Sequence, residues 1–125
     1  MLFSSVYAYS QDISGSWRWF EEEDKSFAIY LEKSDPKLDD DYDFVGTHCG
    51  VFLEGRRMDC TLEDFSIFLK NESKNIFAGK ITSAYSLTDF EIRLTYFEET
   101  KEILWEVTKK GEGQSYFPFK VILTY

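Results

Sequence analysis

Apolar residues recur at every second position through most of the chain between residues 13 and 124, and nowhere at the three- and four-residue spacing of an amphipathic helix. Alternation of this kind buries one face of a strand and leaves the other in water, so the chain is constrained to fold as sheet. Phe27, Ile29 and Leu31 share a face, as do Phe65, Ile67 and Leu69, then Phe90, Ile92, Leu94 and Tyr96, then Ile103, Trp105 and Val107, then Phe117, Phe119, Val121 and Leu123. The pattern predicts strands over residues 13–22, 26–33, 44–53, 56–61, 64–70, 75–83, 90–97, 102–108 and 116–124. Connectors are short except 34–43 and 109–115, so neighbours in sequence are expected to pair as antiparallel hairpins. A row of eight or nine strands has two edges to protect, and closing the sheet removes both. The expected fold is therefore all-β, a single antiparallel up-and-down β-barrel of eight to nine strands, with a β-sandwich as the alternative. Pro118 suits the beginning or edge of the last strand, where its missing N–H costs least.

Composition narrows the function classes. Twelve Phe, eight Tyr and three Trp in 125 residues supply the core surface that a disordered chain lacks. A net charge of -9 repels phosphate backbones and anionic headgroups, which excludes nucleic acid as the expected partner. One His and two Cys are too few for a His-activated nucleophile with its partners or for a four-ligand zinc site. No metal, no cofactor and no enzyme activity are expected.

The opening stretch carries no charge before Asp12, and Ala8-Tyr9-Ser10 places small residues where a signal peptidase requires them. Residues 1–10 are read as a signal-peptide remnant and 11–125 as one barrel domain; the basic n-region is missing, and a cytosolic protein with an apolar first strand is the alternative. The apolar run is too short to span a bilayer, so an exported bacterial protein, periplasmic or secreted and without membrane insertion, is expected. The cysteines agree with export. With Glu54 and Gly55 as a two-residue hairpin loop, Leu53 faces Arg56, Val51 faces Met58 and Cys49 faces Cys60. Opposed residues lie about 4.5–5.5 Å apart at Cα, within reach of a disulfide; two buried free thiols are the competing reading.

His48 stands beside Cys49, and strand neighbours diverge, so a Cys–His nucleophile pair is not expected and His48 is read as structural. Carboxylates cluster at 21–24, at Asp39, Asp40, Asp41 and Asp43 around Tyr42, and at Glu98-Glu99. The 39–43 cluster fails as a calcium loop because Phe44 stands where a Gly is needed and Gly50 where a bidentate Glu is needed. Asn71-Glu72-Ser73 matches a glycosylation acceptor at an expected hairpin tip.

Ile13-Ser14-Gly15-Ser16-Trp17 resembles the Gly-x-Trp element that opens lipocalin and related calycin barrels, and Leu87-Thr88-Asp89-Phe90 is similar to their Thr-Asp-Tyr element, with Phe in place of Tyr. The resemblance implies a Trp packed across the closed end of a barrel. Residues 48–60, 103–107 and 116–118 further resemble small exported bacterial proteins of uncharacterised function.

Two functions follow as expectations. The first is an inhibitor- or immunity-type binding module that holds a basic protein partner through Asp39, Asp40, Asp41, Tyr42 and Asp43, with exposed aromatics such as Tyr85 and Phe97. The second is a lipocalin-type carrier with a small apolar ligand among Trp17, Trp19, Trp105 and Phe119.

Overall fold

The computed structural model describes residues 12–21, 24–37, 41–53 and 55–125. The expected leader, Asp39, Asp40 and Glu54 lie outside them. Among the described residues there is no helix, and nine strands follow in order: β1 (Gly15–Glu21), β2 (Lys25–Lys33), β3 (Phe44–Phe52), β4 (Arg57–Thr61), β5 (Ile67–Ser73), β6 (Ile76–Thr82), β7 (Asp89–Phe97), β8 (Glu102–Lys109) and β9 (Lys120–Thr124). All pairings are antiparallel, and β1, β2, β3, β5, β6, β7, β8 and β9 form a circuit that closes through Arg18 opposite Thr124. The molecule is a closed eight-stave barrel with one added strand, not a sandwich.

The added strand explains itself through β3. That strand is longer than its neighbour: residues 44–46 pair with β5 and residues 48–52 pair with β4. β4 and β5 thus lie end to end along one edge of β3, interrupted by an excursion over residues 62–66. The excursion moves the start of β5 to Ile67 and carries Phe65 out to 46% exposure, where alternation alone predicts it inside. Ser66 anchors its return, donating its N–H to the Gly46 carbonyl and accepting from Thr82 N.

Period-two burial is cleanest in β7, where Phe90, Ile92, Leu94 and Tyr96 face inward and their neighbours outward. The interior is filled by rings in contact. Phe27 lies 4.8 Å from Trp105, Phe90 5.1 Å from Phe117 and Phe44 5.5 Å from Phe77, centroid to centroid. Each such side chain contributes about 1.5–3 kcal/mol by leaving water. Both fully buried indoles satisfy their N–H groups: Trp17 donates to the Ile13 carbonyl and Trp105 to the Pro118 carbonyl, each at 2.9 Å.

The Trp105 bond also accounts for a departure at the last strand, which begins at Lys120 rather than 116. Residues 115–119 run as coil across the barrel end, with Phe117 plugged inward and the Pro118 carbonyl drawn to Trp105. Phe119 is turned outward, 40% exposed beneath the Lys110 ammonium, so it lines no interior space.

Up-and-down order sorts the connectors into two ends. Residues 12–14, 34–37, 41–43, 74–75 and 98–101, and Tyr125 lie at the entry end. Residues 24, 53, 55–56, 62–66, 83–88 and 110–119 lie at the opposite end.

Candidate functional site

At the end opposite the chain entry, polar groups of three connectors and two strands converge on one buried node. The predicted hairpin register holds: Cys49 faces Cys60 and Val51 faces Met58, and the cysteines form a disulfide. Since neighbours alternate, the register that puts the disulfide on one face puts His48 and Asp59 on the other, inside the barrel. Both side chains are fully buried. His48 Nε2 meets Asp59 Oδ1 at 2.8 Å and His48 Nδ1 meets Ser66 Oγ at 2.6 Å. Thr61 Oγ1 donates to Ser66 Oγ at 2.8 Å. With that hydroxyl supplying Ser66, the Ser66 proton is free to go to Nδ1, which assigns the imidazole hydrogen to Nε2 and directs it at the carboxylate.

Asp59 is the hub. Besides His48 it accepts from Ser83 Oγ at 2.6 Å, from Ala84 N at 2.6 Å and from Tyr116 N at 3.1 Å. Burial pushes its carboxyl up, but the hydrogen bonds from His48, Ser83, Tyr116 and Ala84 together outweigh burial and hold it below the ordinary carboxylate range. One carboxylate thereby ties β4 to β3, to the 83–88 loop and to the 115–119 crossing. Gly50 permits the crossing, since a Cβ there would collide with the Tyr116 carbonyl oxygen. The constellation Ser66–His48–Asp59 has the residue types of a hydrolytic triad without access: Ser66 is 2% exposed, and its hydroxyl is engaged on both sides. It is a structural bolt, and His48, expected as a solvent-facing or hydrogen-bonded structural residue, is buried and hydrogen-bonded. Asp59, Ser66 and Ser83 were not singled out from sequence. The signal for Asp59 lay in the cysteine register, which places it on the His48 face.

At the entry end the carboxylates gather. Asp41 and Asp43 are exposed on the 34–43 connector, with Glu72 exposed near the end of β5 and Glu98 and Glu99 on the 98–101 turn, among the exposed Lys37, Lys74 and Lys101. Asp43 has a structural task as well: its Oδ2 accepts from Asn71 N at 2.7 Å, fastening the connector to β5. Tyr42 is half-buried with its ring 5.3 Å from Phe68. A surface cleft of about 610 Å³ opens at the same end, lined by Lys74, Asn75, Tyr96, Phe97, Glu98, Glu99, Thr100 and Glu102. The structure thus brings Phe97 and Tyr42 to the acidic end and places Tyr85 at the other, where it packs on Tyr116 at 4.8 Å. Among the described residues no group of three metal-ligating side chains comes together. Asn71 donates its Nδ2 to the carbonyls of Ser73 and Ile76, a local brace for the bulge between β5 and β6.

Of the expected interior set, Trp17 and Trp105 are buried, Trp19 is packed half-buried against the core and Phe119 is outside it. Trp17 sits near the entry end with Tyr125 edge-on at 5.0 Å and Tyr96 at 5.9 Å. Gly15 holds a positive φ of 121° and its missing Cβ leaves room for the Tyr125 ring.

Fold and site together define a class: a small closed antiparallel barrel, filled with aromatic side chains, bolted at one end and carboxylate-rich at the other. No family model matches the chain, and no curated protein or solved structure matches it.

Proposed function

We propose that this protein is an exported, non-enzymatic binding module that presents its entry end to a basic protein partner, in the manner of an inhibitor or immunity protein. The observation that carries the reading is the convergence of Asp41, Asp43, Glu72, Glu98 and Glu99 on the connectors and strand ends of one end, with the half-buried Tyr42 and the exposed Phe97. Carboxylates on a rigid scaffold steer a cationic partner, and aromatics among them supply contact area at low entropic cost. The Cys49–Cys60 disulfide accords with an oxidising compartment, periplasmic or extracellular. The packing of Trp17 at the entry end, next to Gly15, accords with a lipocalin-like barrel.

The carrier reading is weaker on the same grounds. A lipocalin-type ligand occupies the interior, and here Phe27, Phe90, Trp105 and Phe117 touch one another across it. The test is capture from an extract of the source organism on immobilised wild-type protein and on an Asp41→Lys, Glu98→Lys, Glu99→Lys variant. A basic protein held stoichiometrically by the wild type and lost from the variant is the expected result. Equal recovery on both overturns the assignment to this end.

A further inference from the structure

β4 ends the sheet: among the described residues its ladder is with β3 alone, and no strand lies beside its other edge. The Cys49–Cys60 pair has a Cα separation of 3.9 Å, that of opposed residues which do not exchange hydrogen bonds. Alternation then directs the N–H and C=O groups of Asp59 and Thr61 at β3, and those of Met58 and Cys60 at the open edge. None of the turn and loop backbone hydrogen bonds among the described residues reaches Met58 or Cys60.

The side chains along this edge are as unusual as the backbone. Met58 is 55% and Leu62 81% exposed. Arg56 and Arg57 precede β4 or begin it, Glu63 and Asp64 follow it, and all four are exposed with no ion pair among the described residues. Read outward from Cys60, the segment is self-complementary: Met58 mirrors Leu62, Arg57 mirrors Glu63 and Arg56 mirrors Asp64. An antiparallel partner centred on Cys60 sets even-numbered residues opposite even-numbered ones, and the edge-facing backbone groups are those of Met58 and Cys60.

We infer that the free edge of β4 is a self-association surface, on which a second copy of this chain pairs β4 to β4 antiparallel about a two-fold axis at Cys60. The partner's Leu62 then lies against Met58, and the partner's Glu63 and Asp64 meet Arg57 and Arg56. The two-fold makes each contact twice, as an isologous interface requires. Exposed strand edges invite such pairing unless charge opposes it, and here the charges are arranged to favour one register. Charge complementarity within the segment selects a second copy over an unrelated strand. The interface lies at the bolted end, so both acidic ends remain free.

Light scattering on the eluting 125-residue chain at about 100 µM, where an affinity of micromolar order is readily seen, tests this. The wild type is expected at twice 14.7 kDa. Arg56→Glu, Arg57→Glu and, separately, Glu63→Arg, Asp64→Arg are each expected to halve that mass. An equimolar mixture of the two variants, whose edges are then all acidic and all basic, is expected to restore it as a heterodimer, which also shows that both variants are folded. A monomeric wild type, variants that dimerise as the wild type does, or a mixture that stays monomeric overturns the inference.

Discussion

Removal of the Asp59 carboxylate is the perturbation whose cost the structure specifies most fully. In Asp59→Ala the donors His48 Nε2, Ala84 N and Tyr116 N lose their acceptor, while Ser83 Oγ keeps the Gln114 carbonyl at 3.3 Å. A buried donor left without a partner costs about 1–3 kcal/mol, and water entering the vacated space recovers part of that. The expected loss is about 3–5 kcal/mol, the sum for three such donors less what that water recovers. Set against a total stability of about 5–15 kcal/mol for a domain, this is a large fraction. With a urea slope of about 1–3 kcal/mol/M, the midpoint falls by at least about 1 M at unchanged slope. The pH profile supplies a second reading. A carboxyl held below its ordinary value in the folded state contributes stability that is complete above the unfolded-state value, about 3.9, and is lost as pH falls through the lower folded-state value. Wild-type protein therefore loses stability on acidification below about pH 4 in a step that Asp59→Asn lacks. A midpoint shift worth less than about 1 kcal/mol in Asp59→Ala would refute the view that this carboxylate bolts the barrel end.

Other perturbations separate the remaining elements. Replacing Cys49 and Cys60 together by Ser is expected to cost about 2–3 kcal/mol in urea denaturation, because a short loop is no longer closed in the unfolded chain; an unchanged midpoint contradicts this. Gly50→Ala drives a methyl group against the Tyr116 carbonyl, and a loss of about 1–3 kcal/mol by overpacking is expected from thermal denaturation. Trp105→Phe keeps most of the buried area but leaves the Pro118 carbonyl without its donor, and the fluorescence-detected midpoint should fall by the equivalent of about 1–3 kcal/mol.

What was legible in the sequence was whatever depends on period and register. Alternation located the strands, and the spacing of Cys49 and Cys60 about Gly55 returned the hairpin pairing residue by residue. Its limits lie where a specific polar bond overrides alternation. Phe65 alternates with Ile67 and Leu69 as though inside, but the chain leaves the ladder so that Ser66 can reach His48. Phe119 alternates with Val121, but the bond from Trp105 to the Pro118 carbonyl turns it outward. The node itself joins by a direct hydrogen bond residues 57 positions apart, Asp59 and Tyr116, and no local pattern announces such a meeting. The acidic end was legible as composition, while the separation of Tyr85 from Phe97 to opposite ends required the connector order of a closed barrel.

Native mass spectrometry of the protein isolated from its source tests the central claim most directly, because it reads what the barrel carries without a choice of probe. A stoichiometric basic protein, released as ionic strength rises past about 0.5 M and screening shortens to a few ångströms, is the predicted result. A small apolar molecule retained at high salt, with no protein partner, would contradict the account and return the interior to consideration as the binding site.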